Sequence, residues 1–231
     1  MTRVTIEDFR AAFENARSAL SEHLGAPHLE PEQGRITFGG ERYILVRASS
    51  MSVHFLQLIS EMYPGLDRQE AEQAAASILY DIAHALGKAD ARTILRLAEI
   101  KEPVYKLATG PVHFAFAGWG RVEILPSSRP TPDRDYYLLY DHLDSFEAES
   151  WIRYEKRSAS PRCFMNAGYS AGWCSVSFGI PLRAREMQCR ACGDDRCRFI
   201  MAHEERLDDF VDAYLAEQEA GGTAKPAPNA P

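Results

Sequence analysis

Glu186, Cys189, Cys192 and Cys197 fall within the twelve-residue run EMQCRACGDDRC. Three thiols and a carboxylate at that density suit a tetrahedral metal site, because thiolate and carboxylate both bind zinc well. Cys189 and Cys192 form a CxxC, the usual zinc knuckle. It is the only such pair, so its partner ligands must come from elsewhere. Cys163 and Cys174 are the candidates. On one helix, eleven residues apart, they are separated by about 16 Å along the axis and cannot both reach one metal. All five cysteines lie after residue 162, and an odd, crowded set with no secretion signal reads poorly as a disulfide framework. A redox CxxC normally opens a helix after a strand, whereas this one runs into the turn GDDRC. A catalytic zinc keeps an open water position and usually a histidine, yet no histidine lies between 143 and 202. A closed structural site fits better.

The elements that must position these groups follow from periodicity. Residues 5–24 read as a helix, with Phe9, Ala12, Phe13, Ala16 and Leu20 recurring at three and four. Strand-like runs at 35–38 and 41–46 flank Gly39-Gly40, a turn signal. Helices are expected at 49–62, at 67–87 and at 90–108. The second carries Ala71, Ala75, Ile78, Leu79, Ile82 and Leu86 on one face and ends at Gly87. The pattern then becomes strand-like at 112–119, 121–125 and 136–142. Asp144 and Glu147 read as a capping box opening a helix at 146–154. Residues 163–178 read as a helix, 182–189 and 196–201 as strands, and 203–217 as a last helix. The end, GGTAKPAPNAP, reads as a flexible tail. Helices and strands mix without regular βαβ alternation, so the expected class is α+β, a mixed sheet with packed helices.

Composition narrows the function. With 231 residues, 45% hydrophobic and 26% charged, the chain is neither disordered nor short of a core. Its 33 acidic against 26 basic residues argue against direct nucleic-acid binding. No apolar run approaches the roughly 18–20 residues that span a bilayer, and the N-terminus MTRVTIEDFRAAFENA has no apolar signal core, so a cytoplasmic protein without membrane attachment is expected. Asp141, Asp144, Glu147 and Glu149 are explained by capping and solvation, and Arg153, Lys156, Arg157 and Arg162 by a solvated loop. Gly87-Lys88 lacks the flanking residues of a phosphate loop.

The runs GYSAGWCSVSFG and REMQCRACGDDRCRFIMAH resemble the 4-vinyl reductase-type domain of bacterial small-molecule sensors. GPVHFAFAGWGRVEILP and HLDSFEAESW resemble the portion preceding it in the same sensors, the aromatic-responsive activators of sigma-54 promoters, which respond to phenols, toluene or xylenes. The likeness covers roughly residues 35–205. It implies structural zinc held by Cys163, Glu186, Cys189 and Cys197, with Cys192 a nearby free thiol. It also implies an α+β unit similar to a vesicle-tethering subunit, a homodimer, and an aromatic effector in an enclosed apolar cavity.

For that cavity, period two in the expected 112–119 strand puts His113, Ala115, Ala117 and Trp119 on one face. The 136–142 strand puts Tyr136, Leu138, Tyr140 and His142 on one face. His113 looks like the sensors' ligand-binding histidine. His142 departs from the tryptophan that the phenol sensors carry at or beside that position. Ala184, two residues before Glu186, stands where those sensors tend to carry an aromatic ring, so its methyl group would widen the cavity unless Trp119 or Tyr169 fills the gap. Arg183 and Arg185 point to the opposite face. The expected ligand-binding set is His113, His142, Tyr140, Trp119, Tyr169 and Ala184.

The resulting organisation is a helical segment at 1–34 suited to dimerisation, a sensor portion with the pocket at 35–160, a zinc-binding portion at 161–205, and a helix and tail at 206–231. The expected function is non-catalytic sensing of a small aromatic molecule in signalling or transcription regulation, with the output domain or partner protein outside this chain. The alternatives are a tetrapyrrole-handling 4-vinyl reductase-like protein and a protein-interaction module with a filled pocket.

Overall fold

Gly39 and Gly40, with φ of 57° and 80°, turn the chain back between β2 (Arg35–Phe38) and β3 (Glu41–Tyr43), as the Gly-Gly signal predicts. β1 (His28–Glu30) pairs along the other edge of β2, giving a three-stranded antiparallel sheet. The expected boundary at residue 34 therefore falls inside this sheet. The computed structural model describes residues 12–18, 20, 26–155 and 157–220. Within them, 12–18 and 20 are helical, with Ala12, Ala16 and Leu20 buried as the spacing predicts. The rest of the expected 5–24 helix up to residue 25, and the 221–231 tail, lie outside the described residues.

A second sheet has the order β4 (Arg121–Ile124), β5 (Tyr137–Leu143), β7 (Cys197–His203), β6 (Leu182–Gln188). Every ladder in it is antiparallel, which corrects the expected mixed sheet. The cause is connectivity: β7 returns from β6 through residues 189–196 and inserts between β6 and β5. Alternation sorts its two faces. Leu138, Tyr140, Phe199, Met201, Leu182 and Ala184 belong to the main core, while Leu139, Ile200 and Ala202 pack under Leu207, Val211 and Tyr214 of α6 (Leu207–Ala220). The last helix thus starts later than residue 203, because β7 runs through His203.

The main core lies between this sheet and the helices α1 (Val53–Met62), α2 (Arg68–Leu97), α3 (Pro103–Phe116), α4 (Phe146–Glu155) and α5 (Phe164–Phe178). Asp67 and Glu70 form a reciprocal capping box that opens α2. The helix does not end at Gly87. It continues for thirty residues to Leu97, and the expected 90–108 helix is replaced by a break at 98–102 where Glu99 adopts φ 53°. Gly87 is there for contact: a Cβ on it would stand 2.2 Å from the Tyr169 carbonyl oxygen of α5. Gly168 and Gly172 make the reciprocal approach, their would-be Cβ atoms falling 2.2 Å and 2.1 Å from the carbonyl oxygens of Tyr80 and His84. The two helices therefore cross backbone to backbone. The buried face of α2 is accordingly a stripe of small residues, Ala71, Ala75, Ala83, Gly87 and Ala91 around Leu79, and Ile78, Ile82 and Leu86 flank it half exposed.

The expected strand at 112–119 is a second correction. Its first five residues, 112–116, close α3, which Pro103 opens at a position where proline is tolerated. The alternating Val-His-Phe-Ala-Phe pattern imitates a strand. Packing against α5 overrides it, burying His113 and Phe114 side by side and leaving Phe116 half exposed. Gly110 lets α3 approach the Trp173 indole, which a Cβ would meet at 2.7 Å.

Candidate metal centre and ligand pocket

The β6–β7 hairpin delivers three of four acidic groups to one point. β6 is irregular between Glu186 and Gln188, and Cys189 then precedes a single 3-10 turn closed by Gly193 at φ 85°. The Asp194 carboxylate accepts the Cys189 N–H at 2.8 Å and fixes that turn. Cys197 opens β7, and Cys163 arrives as the residue before α5. One ligand atom each from Cys163, Glu186, Cys189 and Cys197 lies within 4.8 Å of the others. The Cys163 and Cys197 sulfurs are 3.7 Å apart, close to the ~3.8 Å edge of a tetrahedron with sulfur about 2.3 Å from zinc.

One oxygen of Glu186 accepts the Cys163 N–H at 2.8 Å, while the other, Oε1, is buried with no partner. Burial, then the neighbouring Cys189, pushes the Glu186 carboxyl well above the usual carboxylate range, and burial likewise raises the Cys163 thiol. Four such acids in one dry volume ionise together only around a cation, so the donor set fits a metal ion. All five cysteines are free thiols. Cys192 is half-buried and stands outside the set of four, as does Cys174 on the far part of α5.

Two charged residues near the centre are buried rather than solvated. Glu147 accepts the backbone N–H groups of Met165 at 3.0 Å and Asn166 at 2.8 Å, tying α4 to the first turn of α5. Burial pushes its carboxyl up to about 8 against those donations. The expected capping box is thus absent from α4: the Ser145 hydroxyl accepts the Ala148 N–H, and Asp144, at φ 59°, pairs with Arg121. Arg162, expected in a solvated loop, is 5% exposed, donates to Glu72 of α2 at 2.8 Å and lies 4.5 Å over the Trp151 ring. It anchors the residue immediately before Cys163.

Between α3, α5 and the inner face of the sheet lies a cavity of about 30 Å³, walled by Leu107, Phe114, Tyr140, Tyr169, Trp173 and Met201 among others. Of the expected ligand residues, Tyr140 and Tyr169 reach its wall. The Tyr140 hydroxyl is buried without a partner. His142 and Trp119 stand one ring away, with ring centres 4.8 Å and 5.6 Å from Phe114. Ala184 is not part of the wall, which corrects the expectation that its methyl group widens the cavity. Its N–H donates to the hydroxyl of Tyr80 from α2 at 3.0 Å, so α2 covers that position.

Both histidines are wholly buried. Burial pushes His142 down to about 3, so it is neutral; its Nε2 lies 3.4 Å from the Ser170 hydroxyl and its Nδ1 has no partner. His113 belongs to a closed polar circuit. Its Nδ1 is 2.8 Å from the Tyr169 hydroxyl, which donates to Asp90 at 2.8 Å. Tyr43 also donates to Asp90, at 3.2 Å, and stands 3.5 Å from His113 Nε2. Burial lowers His113 and Asp90 partly opposes it. The circuit joins β3, α2, α3 and α5.

Residues 144–202, which hold all four clustered acids, match the V4R domain family. That match covers about a quarter of the chain. Ahead of the V4R domain, residues 20–127 match the family described as activator of aromatic catabolism. Among curated relatives, the transcriptional regulatory protein XylR of Pseudomonas putida is 24% identical over 185 residues, covering 79% of this chain and 31% of that protein. The phenol regulator MopR of Acinetobacter guillouiae is 25% identical over 185 residues, covering 79% and 32%. The chain thus spans about a third of the length of these relatives. The crystal structure of the phenol-responsive sensory domain of the transcription activator PoxR with phenol superposes with a TM-score of 0.72 at 22% identity, covering 89% of this chain and 96% of that one. The chain shares that fold.

Sequence reasoning did not single out Asp90, Tyr43, Glu72 or Tyr80. None sits in a motif. The only sequence signals are the adjacency of Arg162 to Cys163 and the placement of Asp90 one turn after Gly87 on α2.

Proposed function

We propose that the chain is a non-catalytic sensing domain, one that binds a small aromatic molecule between α3, α5 and the second sheet and has zinc as a structural ion. The observation that carries this reading is the match of residues 20–127 to activators of aromatic catabolism, ahead of a V4R domain. Zinc would be held by Cys163, Glu186, Cys189 and Cys197, where it neutralises the buried acids and locks the β6–β7 hairpin to the start of α5. The effector would meet Tyr140, Tyr169 and Trp119, with His113 and His142 as its polar neighbours. A cavity on the order of 150 Å³ accommodates benzene, so an aromatic effector fits only after the wall of this ~30 Å³ space moves. A ligand that binds one state and not the other shifts the balance between them.

The same reading makes the protein a cytoplasmic homodimer that acts through an output domain or partner outside these residues. No helix among the described residues is long and apolar enough to cross a membrane. A second reading, an interaction module with a filled pocket, draws on the rings already occupying the space between His113 and His142. A tetrapyrrole is disfavoured by the cavity's size.

Calorimetric titration of zinc-loaded protein with phenol, cresols, a xylene, benzoate and a two-ring aromatic separates these readings. Saturable binding that weakens in His113→Ala supports sensing. No heat from any compound, with metal and fold intact, overturns it in favour of the interaction module.

A further inference from the structure

Proton accounting around His113 assigns a role to a residue outside the pocket. The Asp90 carboxylate can only accept hydrogen bonds, and two hydroxyls, those of Tyr169 and Tyr43, reach its two oxygens at 2.8 Å and 3.2 Å. The single Tyr169 proton is therefore committed to Asp90. The 2.8 Å contact between the Tyr169 oxygen and His113 Nδ1 then requires the proton on the histidine side. The imidazole is wholly buried, and burial keeps it neutral, so its other nitrogen carries a lone pair. The nearest hydroxyl to Nε2 is that of Tyr43 at 3.5 Å, and its own proton has a shorter path to Asp90.

We infer that Asp90, acting through Tyr169, is a positioning residue that holds His113 in its Nδ1–H form and leaves Nε2 as an acceptor without a short hydrogen bond. A buried acceptor of this kind selects a hydroxyl donor over a bare hydrocarbon, because only the donor satisfies it. The specificity consequence rests on the aromatic-sensing reading and on the wall movement that would bring the effector to Nε2, because His113 does not line the present cavity; the tautomer itself rests on neither. In this arrangement the ligand class is an un-ionised aromatic alcohol. A carboxylate or phenolate would set two acceptors against each other.

The test is a long-range proton–nitrogen correlation spectrum of the full, metal-loaded chain labelled with nitrogen-15. It is read alongside binding of phenol and toluene by calorimetry, and the seven histidines are assigned with a His113→Gln variant. The expected wild-type spectrum shows a protonated Nδ1 and a bare Nε2 at His113; the reverse pattern overturns the inference. In Asp90→Asn the side-chain amide can donate to the Tyr169 oxygen, turning the Tyr169 proton towards Nδ1 and moving the imidazole proton to Nε2. Phenol affinity should then fall about tenfold, the loss of one hydrogen bond, with toluene affinity unchanged. An unaltered nitrogen pattern in Asp90→Asn overturns the assignment of Asp90. If that variant does not fold, Tyr169→Phe serves, with the expected loss of the single tautomer. A wild type that binds neither phenol nor toluene defeats the sensing reading, while its nitrogen spectrum still decides the tautomer.

Discussion

The candidate metal centre and the His113 circuit are both buried polar clusters, and they are built in opposite ways. Three of the four acids at the centre come from twelve consecutive residues folded by one hairpin, with Cys163 brought in by the start of α5. The circuit draws single residues from β3, α2, α3 and α5, separated by up to 126 positions from Tyr43 to Tyr169. The first is local and closes on itself, and its orphaned Glu186 oxygen points to an ion as the missing part. The second is satisfied almost everywhere by its own hydroxyls and depends on how four elements are docked. A cluster of the first kind fails when its ion is lost. One of the second kind is disturbed by any shift in packing.

The most damaging test of this contrast is Cys189→Ser or Glu186→Ala. Either should yield metal-poor protein destabilised by on the order of 5 kcal/mol, read by elemental analysis and urea melts. Full metal occupancy in both variants would refute the four-residue set. Next in size, Gly168→Ala drives a methyl into the Tyr80 carbonyl, 2.2 Å from the ideal Cβ. It should cost about 3 kcal/mol by strain and disturb the circuit while leaving metal content near wild type. Metal loss comparable to that in Cys189→Ser would erase the distinction between the two clusters.

A smaller effect concerns pH. His113 sits below its ordinary value because it is buried, with Asp90 partly offsetting. The unfolded chain therefore takes up a proton that the native form excludes. Its share of stability is complete above about pH 6.5 and is lost as pH falls below it, at no more than about 1.4 kcal/mol per pH unit. His113→Phe should make the slope of stability against pH shallower between pH 7.5 and 5; an identical slope would show that another group governs that range. Smallest of all, Cys192→Ser should keep its metal and change stability by less than about 0.5 kcal/mol. Metal loss there would restore the CxxC knuckle as the true ligand pair.

The difference in construction also explains what could be read from the sequence. The hairpin residues signal metal-binding chemistry through type and spacing, while the choice of Cys163 over Cys192 comes from the resemblance, and the inward face Leu138, Tyr140, His142 follows from strict alternation in a true strand. The α+β class and the second half of the chain were legible for the same reason. Residues 112–119 were not, because an alternating apolar pattern on a helix is indistinguishable from a strand until Trp173 and Phe114 pack. Gly87 carries the signature of a helix end, yet its function is to admit another backbone, a property of its partner rather than of its neighbours. Arg162 and Glu147 read as solvated charge and Asp90 draws no reading at all, because each partner, Glu72, the start of α5 or Tyr169, lies outside its own stretch of chain.

The crossing of α2 and α5 has one more consequence. With no side chain between the two backbones at Gly87, Gly168 and Gly172, nothing there can compress or change rotamer to absorb a displacement. Turning either helix about its own axis would drive a carbonyl oxygen into a Cα, so the pair travels as a single rigid beam. That beam carries Asp90 and Tyr169, and its α5 member begins at the residue after Cys163. Any swelling of the cavity is therefore borne by its other walls, α3 with Pro111 inside it and the strands β4 and β5 that supply Val122, Ile124, Leu138 and Tyr140.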